Sequence, residues 1–265
     1  MARRAAGTQR LSGRPSHATG AKPGRLPEAA APGWKRGLDI LCIGLCAPLI
    51  LPVMVVIALW IKLFSRGPAL LRQTRMGRHG TPFVMYKFRS MKLNASTERQ
   101  EAYVRGLVRS DSPMIKLDLV CDPRLITGGG LLRAAGLDEL PQLLNVLRGE
   151  MSLVGPRPCL PGEYGLFSPE QRERFNALPG LSGLWQVNGK NRRTFREMNA
   201  LDIRYVRNAS LRMDLRILLQ TPAALVSQMS LAFRQKLTAR RRLASAATRG
   251  ASNPAYPSPS HSQSL

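Results

Sequence analysis

The chain has 265 residues, 44% of them apolar, which is enough to bury one good core in one or two domains. Forty Lys and Arg against 16 Asp and Glu give a formal charge of +24, so an anionic partner is called for: nucleic acid, a phosphorylated small molecule or an acidic membrane face. Cys42 and Cys46 lie in an apolar run, Cys121 and Cys159 are isolated and the three histidines are scattered, which argues against a disulfide framework, a zinc site and a histidine-based triad.

Part of the charge lies in the ends. Residues 1–33 and 237–265 are rich in Ala, Gly, Ser and Pro, hold many of the arginines, and read as disordered basic tails. Between Ile40 and Ile61 no side chain is charged, a run long enough to cross a bilayer. A cleaved secretory signal fits poorly, because the run is too long and Lys62 and Arg66 follow directly without a small-residue cleavage site. Pro48 and Pro52 near its middle each remove a backbone donor. Lys35 and Arg36 before the run and Lys62, Arg66, Arg72 and Arg75 after it place both ends in the cytoplasm by the positive-inside rule. A re-entrant helix-break-helix over 34–64 satisfies both observations, with Asp39 near the interface and paired to Lys35 or Arg36.

The next stretch, 70–91, has strand-like segments on either side of a turn at 77–80 and predicts a β-hairpin. Lys87 and Arg89, two apart, would share one face of its second strand, either as a phosphate site or as a solvated basic edge. Residues 94–119 are polar and weakly helical, Asp122 and Pro123 begin a turn, and the three glycines at 128–130 lack the Lys and Ser or Thr of a P-loop.

From Leu137 to Gly149 the apolar spacing of Leu140, Leu143, Leu144 and Leu147 predicts one short amphipathic helix. Its front holds two adjacent acids. Taken alone, Asp138 is an N-cap and Glu139 a favourable first-turn acid. After it, Gly155, Pro156, Arg157 and Pro158 form a stiff loop whose guanidinium suits bidentate recognition of phosphate or carboxylate, or is simply exposed. Ser168 with Gln171 resembles a capping box for a helix over 169–177. The glycine-rich loop 179–193 offers Trp185, Gln186, Asn188 and Lys190, a mixture able to hold a base and a phosphate. Thr194 with Glu197 caps a helix ending near Arg207, and a further amphipathic helix with Leu211, Leu215, Leu218 and Leu219 runs toward Phe233, kinked or interrupted at Pro222. Its apolar stripe suits either a membrane surface or the domain core.

Three blocks carry a family resemblance: Gln73 to Gly77 with Phe83 to Met91, Leu137 to Leu143 with Gly155 to Pro158, and Pro179 to Asn191. In this order, behind an apolar segment, they resemble the bacterial sugar transferases, small monotopic phosphoglycosyl transferases, over about 34–221. The resemblance implies an α+β, mainly helical monotopic membrane protein: a re-entrant membrane helix (34–64), a catalytic domain (65–236) with a small hairpin, and interfacial amphipathic helices, on the cytoplasmic face of the bacterial inner membrane. It further implies transfer of a sugar-1-phosphate from a UDP-sugar to polyprenyl phosphate with release of UMP, the first membrane step of exopolysaccharide assembly. Asp138 is then the implied nucleophile and Glu139 the ligand of Mg²⁺. Lys87, Arg89, Arg133, Arg157, Lys190, Gln186, Asn188 and Asp214 are candidates for binding substrate or phosphate. Anionic lipids are expected partners, nucleic acid is not, and self-association is left open. Gly136 stands where the family usually has Ser or Thr, and Lys190 where it has Arg. These departures keep open a second class, a catalytically weak scaffold of polysaccharide assembly.

Overall fold

A computed structural model describes residues 32–92, 106–107, 110, 113 and 124–250. The expectations for 1–31, for most of 94–119, for Asp122 and Pro123 and for 251–265 lie outside the described residues.

Helix α1, Gly33–Phe64, holds the charge-free run and is long and apolar enough to cross a membrane. Its backbone stays helical through Pro48 and Pro52, so the expected break is absent as an interruption of the helix. The two ends behave differently from the middle. Lys35, Asp39 and Ile43 are buried at one end and Ile57 and Ile61 at the other, each set spaced by four residues and turned onto the folded domain. Between them Leu45, Leu49, Leu51, Val55 and Val56 stand exposed.

Strands β1, Leu70–Met76, and β2, Pro82–Phe88, form the expected antiparallel hairpin, with Leu71 opposite Lys87, Gln73 opposite Met85 and Arg75 opposite Phe83. Its turn passes through the left-handed region at His79 (φ 55°) and Gly80 (φ 70°). Helix α2, Gly129–Ala135, starts after Gly128 and stops at Gly136, both left-handed. A 3₁₀ segment, Leu137–Gln142, leads into α3, Leu143–Arg148, which Gly149 ends at φ 80°. Strand β3, Ser152–Val154, pairs in parallel with β4, Gly180–Ser182, across a connection that holds α4, Pro161–Tyr164, and a 3₁₀ segment, Gln171–Asn176. The short α5, Leu184–Val187, precedes α6, Phe195–Asn208, and α7, Leu211–Gly250.

The capping boxes are as expected. Thr194 Oγ1 accepts from Glu197 N while Glu197 Oε2 accepts from Thr194 N, and Ser168 and Gln171 exchange the same two bonds, although the segment behind them is 3₁₀. Helix α7 is not interrupted at Pro222: Ile217 and Leu218 pack on the core before the proline and Leu225 approaches Gly136 after it. It also continues helically over 237–250, where Ala, Leu and Arg favour a helix more than the tail-like composition disfavours one.

One cluster of buried side chains draws Ile43, Met85, Val146, Val154, Tyr205 and Ile217 together and so joins α1, the hairpin, α3, β3, α6 and α7. A second, with Ile57, Ile61, Phe88, Ile126 and Leu132, fastens the far end of α1 to the hairpin and α2.

Candidate active site

Asp138 and Glu139 open the 3₁₀ segment, and Asp138 is only 6% exposed. The expected N-cap is not formed by Asp138. Gly136 holds the cap position at φ 69°, its carbonyl accepts from Glu139 N at 3.1 Å, and no side chain caps the turn. Pro141 has no N–H to give to Leu137 in an α-helical bond, so the turn stays 3₁₀ and α3 begins only at Leu143. With three residues per turn, the two neighbouring carboxylates leave the backbone about 120° apart.

The hairpin forms the opposite wall. Asn145, fully buried, completes the free edge of β2: Oδ1 accepts from Tyr86 N at 3.0 Å and Nδ2 donates to Val84 O at 2.7 Å. This fixes the segment carrying the acids against the strand that carries Lys87. On that face Gln73 Oε1 accepts from both Lys87 Nζ (2.8 Å) and Arg75 Nη2 (2.9 Å). Lys87 is drawn down to about 8, first by burial and then by the cations Arg75 and Arg133, while Asp138 and Glu139 pull the other way. The buried Arg75 lies in the field of Arg157, Glu163 and Glu139. Lys87, Arg133, Arg157, Asp138 and Glu139 are thus brought into one electrostatic neighbourhood. Gln73 and Arg75, which composition gave no reason to choose, join them; the pairing register, with both on the Lys87 face, was the signal that could have found them.

A pH dependence follows from Lys87. Its folded-state pKa lies below the ordinary 10.5, so the charged form is penalised by folding below about 8 and that penalty disappears above the unfolded value. For an anionic substrate, kcat/KM is expected to fall as pH rises through about 8, and Lys87→Arg should remove that alkaline limb. An unchanged limb in the variant would show that another group titrates.

Other candidates are placed differently. Arg133, in the last turn of α2, donates from Nη1 to Ser90 Oγ at 3.4 Å. The backbone of Arg157 is held by a buried ion pair: Arg174 Nη2 lies 2.5 Å from Asp202 Oδ2 and also donates to Arg157 O at 3.0 Å. Burial pushes the Asp202 carboxyl up to about 6 against the pull of Arg174. Arg89 is engaged away from Gln73 and Lys87. Its two Nη atoms donate to Ser65 O (2.9 Å) and Arg66 O (2.6 Å), so it binds the chain leaving α1. Asp214, expected near substrate, is buried on α7 in an ion pair with Lys35 and accepts from Tyr205 OH at 2.7 Å. Gln186 is buried on α5 with Oε1 unpartnered among the described residues, Asn188 is exposed and donates to Leu184 O, and Lys190 is half-buried on a 3₁₀ turn, Lys190–Arg192.

The chain matches the family model described as bacterial sugar transferase over residues 30–228. The chain belongs to that family. Among its relatives, a UDP-glucose:undecaprenyl-phosphate glucose-1-phosphate transferase of Caulobacter vibrioides is 42% identical over 212 residues, 77% of this chain and 74% of that protein. The exopolysaccharide production protein ExoY of Sinorhizobium fredii is 36% identical over 197 residues, covering 74% of this chain and 87% of its own length. An undecaprenyl-phosphate galactose phosphotransferase of Salmonella typhimurium is 38% identical over 188 residues, and there the match takes in 71% of this chain but 39% of the relative.

Within this sugar transferase the unusual Gly136 has a physical reason. Its φ of 69° is a left-handed conformation, and a Cβ there would lie 3.2 Å from Leu225 Cδ2 of α7. Gly136→Ala is expected to cost about 1–2 kcal/mol from the backbone alone, read as a lower melting temperature, and to lower kcat because the same residue sets the direction of Asp138. Adding Leu225→Ala should recover little. Full recovery would assign the effect to crowding instead of to φ.

Proposed function

We propose that the chain transfers a sugar-1-phosphate from a UDP-sugar to polyprenyl phosphate and releases UMP. The observation that carries the reading is the buried Asp138 beside Glu139 on a turn faced by Lys87, Arg75 and Arg133, in a member of the bacterial sugar transferase family. A carboxylate oxygen of Asp138 attacks the sugar-bearing phosphorus, the bond from that phosphorus to the bridging oxygen breaks, and UMP leaves with the electron pair. An oxygen of polyprenyl phosphate then attacks the phosphosugar on Asp138 and frees the carboxylate. Anion meets anion in both steps, so Lys87, Arg75, Arg133 and Arg157 serve to make the approach possible. Lys190, Gln186 and Asn188 are proposed for the nucleotide side.

The described residues hold no group of three His, Cys, Asp or Glu able to bind a metal by themselves, which suits Mg²⁺, an ion commonly held by one or two carboxylates together with substrate phosphates. Glu139 would hold it together with substrate phosphate oxygens, and the bound ion would supply charge neutralisation for the leaving UMP.

The membrane reading rests on α1. A straight helix of 32 residues is about 48 Å long, enough to set its ends on opposite sides of a hydrocarbon layer of about 30 Å. Here both ends are fastened to the same domain while the apolar middle is exposed, which supports a re-entrant helix with the domain on the cytoplasmic face of the inner membrane.

Membranes containing the full chain, given a panel of UDP-sugars with Mg²⁺, are expected to release UMP with at least one of them and to show a phosphosugar adduct by intact mass. The broken bond is P–O, so the anomeric configuration should be retained. An inverted product would sink the mechanism, and no UMP with any UDP-sugar would favour a scaffold.

A further inference from the structure

The buried pair of Arg174 and Asp202 takes no part in the transfer steps. Two charges whose side chains are each 1% exposed are expensive to bury, and well-packed apolar residues of similar volume would serve stability as well or better. The pair also does more than tie the 3₁₀ segment Gln171–Asn176 to α6. Arg174 lies over the rings of Phe167 and Phe175, 5.0 and 5.5 Å from their centroids, and its Nη1 donates to Asn199 Oδ1 at 3.1 Å. With the fork held in this way, Nη2 is shared between Asp202 Oδ2 and the carbonyl of Arg157.

That carbonyl belongs to a loop whose other backbone groups are already fastened. Gly155 N donates to Ser182 O at 2.9 Å, Pro156 O accepts from Gly180 N at 2.8 Å, and Cys159 O accepts from Met76 N at 2.9 Å. Pro158 restricts Arg157 to extended backbone. The bond from Arg174 then fixes how the peptide plane after Arg157 is turned, and with it the direction in which the side chain leaves the loop. The half-buried guanidinium of Arg157 has no hydrogen-bond partner among the described residues. It lies in the field of two buried groups, Asp202, which attracts it, and Arg75, which repels it. A guanidinium kept beside another cation with its donors unused is suited to bidentate capture of phosphate oxygens.

We propose that Arg174 and Asp202 are positioning residues that aim Arg157, next to Arg75, at the diphosphate of the nucleotide sugar. The proposal rests on the transfer reading for its ligand, and not on the roles given to Asp138 and Glu139.

Either single variant would leave an unpaired buried charge. The test therefore uses Arg174→Gln with Asp202→Asn, which removes both charges and keeps hydrogen-bonding groups, beside Arg157→Ala, which leaves the pair intact. Both are made in the full chain and checked by thermal unfolding. KM for an accepted UDP-sugar, and the Kd of UDP measured by titration calorimetry, are expected to rise about tenfold in each. Combining the three substitutions should raise them no further, because the pair acts through Arg157. A role in stability alone would lower kcat through the folded fraction and leave KM and Kd unchanged, and that result overturns the proposal. Effects that multiply to about a hundredfold in the combined chain overturn it as well, since independent contributions add in free energy. Should the uncharged pair fail to fold, Arg174→Lys, which keeps the charge but loses the fork, is read by the same criteria. A wild type that binds UDP but releases no UMP from any UDP-sugar would sink the transfer reading, while the UDP affinities still decide this proposal. A wild type that does neither would sink both.

Discussion

Asp138→Asn is expected to lower UMP release by a factor on the order of 10³ or more and to abolish the phosphosugar adduct. The amide has nearly the shape of the carboxylate but no anionic oxygen to offer phosphorus, and Asp138 sits on a turn whose path is set by Gly136 and Pro141, so the backbone has no reason to move. Glu139→Gln should behave differently. It leaves the nucleophile and raises the Mg²⁺ concentration needed for half-maximal activity by about 10–100-fold. The two variants therefore separate the roles of adjacent acids that composition cannot distinguish. If Asp138→Asn kept its adduct and Glu139→Gln lost it, the roles would be exchanged; turnover by the wild type with no adduct under quench would favour direct transfer to the lipid phosphate.

How much of this was legible depended on the range of the forces involved. The hairpin over 70–91 was readable because alternation, a turn with two left-handed residues and strand composition are all local. The capping box at Thr194 was readable because its two bonds close within three residues. The parallel pair of β3 and β4 was not, since each strand has three residues and their pairing joins Ser152 to Gly180. Gly155 and Gly180 were the available hint: a Cβ on Gly155 would come within 2.3 Å of Leu178 O and one on Gly180 within 2.0 Å of Gly155 N, so the close crossing of the two chains requires glycine at both. The adjacent acids stood out in the sequence, but their setting as a 3₁₀ turn did not, because leucine spacing across 140–147 masks the missing donor of Pro141. The partners of Arg89 and Asp214 were not legible for one reason. Charge on the sequence says that a partner exists without saying whether it is substrate, a carbonyl at a helix end, or a lysine more than a hundred residues away.

That distant lysine sets the second large effect. Lys35 Nζ lies 2.5 Å from Asp214 Oδ2, with 6% and 1% of the two side chains exposed, and it also donates to Val154 O at 2.8 Å and to Tyr205 OH at 2.9 Å. Next to it, Arg36 donates to the carbonyls of Val146 and Leu147 at the end of α3, and Asp39 accepts from Ser152 Oγ and Leu153 N, both at 3.0 Å. Asp39 was expected to pair with Lys35 or Arg36; instead all three leave α1 for different partners in the domain. Lys35→Met or Asp214→Asn is expected to cost about 3–5 kcal/mol, because the remaining partner stays buried without its counter-charge. At about 2–4 °C per kcal/mol for a domain of this size, that is a fall of about 10 °C in melting temperature. The double variant should lose clearly less than the sum of the two. The magnitude also bears on membrane topology. If the two charges were apart and in water in the membrane-bound chain, each single variant would cost less than about 1 kcal/mol, as exposed pairs do, and the N-terminal end of α1 would not be fastened to the domain that carries Asp138.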